Sequence, residues 1–560
     1  MTYDIVIRGG TIVDGTGKQR FDGELAVIGD KVAEIGHVNS SAKEVIDARG
    51  LIVAPGFVDP HTHYDAQICW DPLITSSSWH GITSVVMGNC GVGIAPCKPA
   101  VREIAAWDLV NVEAIPFEVL SQGIKWEWES FPQFMDAAAR RRCGINLGFL
   151  APLTPFRHFV MGEDSMERAA TPEETARIAG LLREAVGAGA MGFSTTILAQ
   201  HIGYKGRPLA CRNASRDELK AYAGALRELG HGSIEISLTR APGILADDEY
   251  EFLDMLLTAS GRPVTWLALL GRDDDPEACL KSLDRAEPLV RRGGMPQVTC
   301  RPLIVQINLR EPFIMAAMKT WNPVFNRPPE EQKKFYSDPA FRNGFRDELK
   351  RPGIFSGRWE RMEIKEAASP ALCALEGRTV AEVARERGRD GLDTFFDLAL
   401  EDDLRMEFSY PVFNADENRI PELLRDPRTM IGLSDGGAHV DMLIDAGYPT
   451  YLLGTWVRER QALTLEHAIK RITSEPADCF GMRTRGRLKP GLAADIAIFD
   501  PKTVGSELRG TMRNDLPGGG RRLVMEARGM YCTIVNGQVL YREGKATSAR
   551  PGVVLRAGRC

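Results

Sequence analysis

Two histidines one residue apart, His61 and His63, end an apolar run that reads Ala54-Pro55-Gly56-Phe57-Val58-Asp59-Pro60-His61-Thr62-His63. Successive side chains of a strand point to opposite faces, so residues two apart share a face. Two imidazoles on one face, at the C-terminal end of a strand, are placed to hold one divalent metal. A bare His-x-His is more often just the polar end of a strand. Its weight therefore depends on what else the chain carries.

Two further segments end predicted strands with the right chemistry. The first is Met87-Gly88-Asn89-Cys90-Gly91-Val92-Gly93. Glycines on either side of Cys90 let the backbone turn sharply and present the thiol. A thiolate there could share a metal with the histidine pair, although a free cysteine is most often buried and inert. The second is Gly432-Leu433-Ser434-Asp435-Gly436-Gly437-Ala438-His439. A carboxylate at Asp435 can bind a metal and also take a proton from water. Ser-Asp-Gly alone is only a turn signal. His439 is a neighbour of the metal, a substrate contact or a residue that merely opens a helix.

These residues need a scaffold that gathers strand ends. The middle of the chain alternates short apolar strands with helical patterns, the mark of βα units and a parallel sheet. Strands are predicted before His61 and at 82–87, 145–150, 191–195, 233–238, 264–269, 297–304 and 430–433, eight in all. That is the count of a TIM-type (β/α)8 barrel, whose chemistry sits on the loops after the strands. Helices are predicted over 172–186 and 216–229, with Thr171 and Glu174 forming a capping box on the first. The stretch 310–376 breaks the rhythm, with Trp321, Phe325, Phe335, Tyr336, Phe341 and Phe345 spread along it. It is too long for an ordinary barrel loop. It is either an excursion with its own core or a lid over the barrel mouth.

Both ends of the chain are β-rich. Short runs at 4–8, 24–28 and 32–35 are matched late by 495–499, 523–526 and 533–540, so the termini are expected to meet in one small sheet domain. The expected architecture is α/β. Residues 1–55 and 481–548 form a β-sandwich, 56–480 form the barrel with its insertion, and 549–560 form a tail.

With 560 residues, a barrel plus a satellite domain fits comfortably. The net charge of −6, with acids and bases interspersed, argues against nucleic acid as the partner. Arg140-Arg141-Arg142 is a short basic run on a solvated helix face. The opening Met1-Thr2-Tyr3-Asp4-Ile5-Val6-Ile7 reads as a strand and not as a signal peptide, and no apolar stretch of about 20 residues is present to cross a membrane. Eleven cysteines without framework spacing fit reduced thiols in a cytoplasm. Symmetric homo-oligomers are the commonest assembly, so a homo-oligomer is the default expectation.

The opening Asp4-Ile5-Val6-Ile7-Arg8-Gly9-Gly10 with Val13-Asp14-Gly15, the block from Ala54 to His63, and the closing Gly486-Arg487-Leu488-Lys489-Pro490-Gly491-Leu492-Ala493-Ala494-Asp495 resemble the amidohydrolase superfamily. Gly88-Asn89-Cys90-Gly91 and Ser434-Asp435-Gly436 narrow the resemblance to the N-acyl-D-amino-acid deacylase, or D-aminoacylase, branch. The resemblance implies that His61 and His63 bind one metal, normally zinc. It implies that Cys90 is a metal ligand and that Asp435 is both ligand and acid/base residue. Asn89, Arg240 and His439 are the candidate substrate contacts.

The chain also departs from that pattern. Ile234-Glu235-Ile236-Ser237-Leu238-Thr239-Arg240 has Leu238 where the branch has a metal-binding histidine. Val264-Thr265-Trp266-Leu267-Ala268-Leu269 has neither the next histidine nor the substrate-orienting lysine. One tightly held metal is therefore expected, with a second only if Glu235, His158 or His201 replaces the lost positions. The expected reaction is hydrolysis of an amide C–N bond in a small molecule, foremost an N-acyl amino acid. A cyclic-amide hydrolase or deaminase is the alternative on the same scaffold. An inactive oligomeric scaffold is the alternative of another class. Trp126, Trp128 and the aromatics of 310–376 suggest an apolar acyl group, or simply core.

Overall fold

The computed structural model describes residues 2–315, 318–325, 327–351, 355–558 and 560. Met1, Arg559 and positions 316, 317, 326 and 352–354 of the predicted excursion lie outside the described residues.

The middle of the chain is built from parallel strands. β1 (Phe57–Thr62), β2 (Ile82–Met87) and β3 (Asn146–Phe149) pair in that order. Ala151–Pro152, just after β3, pairs with β4 (Gly192–Thr196). From there β5 (Ser233–Ser237), β6 (Val264–Leu267), β7 (Gly294–Val298) and β8 (Met430–Ile431) follow in parallel register. A parallel bridge between Thr62 and Gly436 brings the segment after β8 back beside β1. Strands β1 to β5 are buried at every position, as parallel sheets covered on both faces must be.

The helices between strands begin where the sequence says they should. Thr171 accepts from the Glu174 amide and the Glu174 side chain accepts from the Thr171 amide, opening the helix Pro172–Ala188. Ser215 and Glu218 repeat the device for Arg216–Leu229. Each box satisfies amides that a helix start otherwise leaves unpaired.

The predicted strand over 297–304 is wrong. β7 stops at Val298, and a separate strand, Leu303–Ile307, pairs antiparallel with Glu407–Phe413. Pro302 has no N–H to continue a ladder. Arg301 swings to Asp445, its Nε 2.8 Å from the carboxylate, and donates to the carbonyls of Glu507 and Leu508. The inserted region is thus longer than 310–376, because Leu303–Ile307 and Glu407–Phe413 are its base. The last strand is also shorter than predicted, since Leu433 takes a left-handed φ of +54° and ends it.

The insertion has its own core. Trp321 is fully buried among Tyr336, Phe341, Phe345 and Phe396, with ring centroids 5.1–5.9 Å away. Phe325 is only partly buried, at the edge of that cluster. Trp128 is buried and Trp126 half-buried against core, so neither offers an open apolar wall.

The two ends of the chain share one mixed sheet. Ile52–Pro55 runs parallel to Tyr3–Ile12 and antiparallel to Ile496–Phe499. Asp495 ties this sheet to β3, accepting from Asn146 Nδ2 at 2.9 Å and from Arg485 at 2.6 Å. Among the described residues no helix is long and apolar enough to cross a membrane, and all eleven cysteines are free of disulfides.

Candidate metal centre

His61 and His63 leave β1 on one face, and both are buried. The loop after β2 brings Cys90 to them, its Sγ 3.4 Å from His61 Nε2. The loop after β8 brings Asp435, whose Oδ1 is 3.5 Å from His61 Nε2 and 3.1 Å from His63 Nε2. His61, His63 and Cys90 each offer a ligand atom within 4.8 Å of the other two. Zinc bonds of about 2.0–2.3 Å put the ligands of a tetrahedral ion roughly 3.3–3.8 Å apart. The printed separations of 3.1–3.5 Å lie close to that range, so His61, His63 and Cys90, with Asp435 beside both histidines, fit a single divalent ion. Cys90 belongs to the same cluster as the histidine pair and Asp435.

Two turns make this possible. Cys90 and Asp435 both adopt left-handed φ, +56° and +52°, which is uncommon for residues with a side chain. Such conformations persist only where neighbours impose them. Glu235 on β5 accepts the Cys90 amide at 2.6 Å, and Ser194 on β4 accepts the Gly91 amide at 2.9 Å. Gly88, at φ +80°, lets the turn lie against the Leu150 carbonyl, which a Cβ would meet at 2.4 Å. On the other side, Ser434 Oγ donates to Asp59 at 2.6 Å, and the His63 amide donates to the Gly436 carbonyl at 2.7 Å. The β8 loop is therefore stitched to β1, the strand that carries the histidines.

Each histidine turns a second nitrogen away from the cluster. His63 Nδ1 lies 3.1 Å from Glu113 Oε1. Glu113 is the buried last residue of α1 (Arg102–Glu113). Gln297 on β7 lies beside the His61 ring, with its Nε2 donating to Thr265 at 3.1 Å. Neither Glu113 nor Gln297 stands out by motif. A sequence signal for Glu113 does exist: it is an acid on the helix face that buries Ala105, Leu109 and Val112.

The charges follow from burial and these contacts. Burial drops His61 to about 3. Against its own burial, His63 is held well above the usual imidazole value by Glu113, Asp435 and Cys90. Asp435 resists burial in the opposite sense: the hydrogen bond and charge of His63, with His61 and His439, hold it well below the usual carboxylate range. Burial and the Glu235 charge push the Cys90 thiol up. Burial lifts Glu235 to about 8.

The remaining sequence candidates are dispersed. His439 Nε2 is 4.0 Å from Asp435 Oδ2, so it flanks the cluster. Asn89 is buried beneath the site, with Nδ2 donating to the carbonyls of Thr62 and Val86. Arg240 is half-exposed and paired with Asp248 and Glu249, at 2.5 and 3.1 Å. Leu238 is buried just past β5. His201 is near enough to feel the charges of His439, His63 and Asp435. His158 lies in a different buried network, with Asp108 and Ser165 each 2.8 Å from its ring.

A family model described as the amidohydrolase family matches residues 44–303 and 356–541. An uncharacterized protein of Mycobacterium tuberculosis is 29% identical, over 100% of this chain and 96% of its own length. The D-aminoacylase of Alcaligenes xylosoxydans xylosoxydans is 28% identical, over 99% of this chain and 97% of its own. Among solved structures, a D-aminoacylase superposes with a TM-score of 0.69 at 23% identity, covering 99% of this chain and 100% of that one. An N-acyl-D-glutamate deacylase of Bordetella bronchiseptica, solved with zinc and a phosphonate inhibitor, superposes with a TM-score of 0.66 at 25% identity over both whole chains. The chain belongs to the amidohydrolase family.

Proposed function

We propose that this protein is a metal-dependent hydrolase that cleaves the amide bond of an N-acyl amino acid. The observation that carries the reading is the convergence of His61, His63, Cys90 and Asp435 at ligand spacing. Relatives whose names are D-aminoacylase, N-acyl-D-aspartate deacylase and N-acyl-D-glutamate deacylase support it over nearly the whole chain.

His61, His63 and Cys90 hold the ion, with Asp435 completing the set. The ion supplies Lewis acidity toward a carbonyl and lowers the pKa of water. Asp435, ionised and 18% exposed in its side chain, takes the proton of the attacking water and returns it to the leaving nitrogen. Glu113 keeps the His63 Nε2 aimed at the cluster. His439 flanks the substrate side, and Asn89 braces the Cys90 turn. Arg240 is too engaged with Asp248 and Glu249 to serve as a substrate anchor.

We assign one ion, zinc, per chain. Leu238 offers no ligand atom, His158 is tied to Asp108 and Ser165, and Glu235 spends one oxygen on the Cys90 amide. The scaffold we propose is a (β/α)8 barrel over about 56–480, closed by the run β1 to β8. Residues 1–55 and 481–548 form the β-sandwich, with 549–560 as a tail. The test is metal analysis of the purified protein beside a hydrolysis panel of N-acyl-D- and N-acyl-L-amino acids. Zinc-free protein that hydrolyses none of them would falsify the reading.

A further inference from the structure

A cavity of about 680 Å³ lies beside the donor cluster, and the charge of its walls bears on which amide fits. His439 is in its wall, 4.0 Å from Asp435. Val112 and Ala114 are also in the wall, on either side of the Glu113 that touches His63. The opposite wall comes from the insertion, through Asn308, Glu311, Phe325 and Gln332.

Three carboxylates line this space: Glu311, Glu407 and Asp441. Glu407 accepts one hydrogen bond, from Asn308 at 3.2 Å. Burial, with the carboxylates of Asp441 and Glu366, pushes Glu407 up to about 7. The cations in the same walls are already engaged. Arg310 is paired with Asp403 at 2.7 Å and also donates to its carbonyl, while Arg327 is paired with Glu331 at 3.1 Å. Arg521 acts on Glu407 and Asp441 from outside the lining, where it is 3.6 Å from Glu366.

A separate observation points the same way. Gln332 lines the cavity and is only 2% exposed. Its Nε2 donates to the Arg310 carbonyl at 2.9 Å, but its Oε1 has no hydrogen-bond partner. A buried acceptor without a donor is costly. The cavity wall therefore carries three carboxylates beside arginines that are already engaged, and a buried acceptor with no donor. A group with several N–H donors and a positive charge satisfies both, whereas a carboxylate meets repulsion and finds the arginines occupied.

We propose that this cavity selects N-acyl amino acids whose side chain carries a guanidinium or ammonium group, seated on Glu407 and Asp441. The proposal rests on the deacylase reading above.

The experiment uses the zinc-loaded, full-length protein with N-acetyl derivatives of arginine, leucine and glutamate, each as D and L forms. The expected kcat/KM for the arginine substrate is at least tenfold above leucine and at least a hundredfold above glutamate. In the Glu407→Gln/Asp441→Asn double variant, the arginine-to-leucine ratio falls tenfold or more. Equal rates for arginine and leucine, or a preference for glutamate, overturn the proposal while leaving the deacylase reading intact. If no substrate is cleaved, the deacylase reading fails, and titration calorimetry with arginine amide against norleucine amide decides the cavity alone. Binding at least tenfold tighter for arginine amide supports the charge preference, and equal binding refutes it. The preference of the wild-type protein decides the question even if the double variant does not fold.

Discussion

His63 Nδ1 and Glu113 Oε1 lie 3.1 Å apart in the interior, an ion-pair contact in which neither atom has a hydrogen-bond partner. A metal-ligating histidine that gives its second nitrogen to a carboxylate is fixed in tautomer and orientation, and removing such a partner typically costs about 10–100-fold in metal affinity. Glu113→Ala should weaken zinc by that range and Glu113→Gln by less, read by competition with a chromogenic chelator. An unchanged affinity in a folded Glu113→Ala protein would make Glu113 a packing residue.

Cys90 gives a second, separable expectation. Its Sγ is 3.4 Å from His61 Nε2, so in the proposed centre it would share the ion of the histidine pair. Cys90→Ala should then lower zinc content together with His61→Ala and His63→Ala. The wild-type protein should carry about one tight zinc per chain, because His61, His63, Cys90 and Asp435 gather around a single point. Two tight zinc ions per chain would show that Glu235 or His201 has joined a second site.

The site was legible in the sequence where chemistry and turn residues coincide. His61 and His63 obey strand periodicity, and Cys90 and Asp435 sit among glycines at strand ends, so local pattern alone brings them to one rim. Gln297 was not legible, and Glu113 only as an acid on a buried helix face. Each is an ordinary polar residue until the fold sets it beside a histidine ring. The strand at 297–304 was misread because an apolar run carries no mark of the sheet it joins. Leu303–Ile307 leaves β7 for a partner more than a hundred residues on, Glu407–Phe413. The aromatic stretch pointed equally to core and to lid; Trp321 is core, and Phe325 lies in the cavity wall.

That division can be tested. Trp321 is fully buried among four aromatic rings, whereas Phe325 lines the cavity. Truncating a buried aromatic costs about 3–5 kcal/mol. Trp321→Ala should lower Tm by several degrees with little change in the kinetics of the remaining folded protein. Phe325→Ala should raise KM with a smaller loss of stability. The reverse assignment of the two effects would mean that the insertion packs differently in solution.

Metal uptake should depend on pH in a defined sense. In the metal-free site the Cys90 thiol is pushed up by burial and by Glu235, and Glu113 and Asp435 raise His63 against its own burial. Both must lose a proton to become ligands, whereas His61 is already neutral and Asp435 already ionised. Binding therefore releases protons, and affinity rises with pH below those two pKa values. The slope of log affinity against pH should approach two through the neutral range and fall by about one in Cys90→Ala. A flat profile would remove both groups from the ligand set.

Asp435 carries the catalytic prediction. Its Oδ1 touches both histidine nitrogens, its side chain is 18% exposed, and the surrounding imidazoles keep it ionised. Those properties suit a group that holds the ion with one oxygen and exchanges a proton with the other. Asparagine keeps the shape and the hydrogen-bonding size but cannot accept the proton. Asp435→Asn should therefore keep the fold, retain most of the zinc through His61, His63 and Cys90, and lose at least ~100-fold in kcat, the usual scale for a missing general base. Measuring zinc content and kcat on the same preparation separates the two roles. Lost zinc with proportionally lost activity would make Asp435 chiefly a ligand, and retained zinc with near-normal turnover would place proton transfer elsewhere, with His439 the nearest candidate.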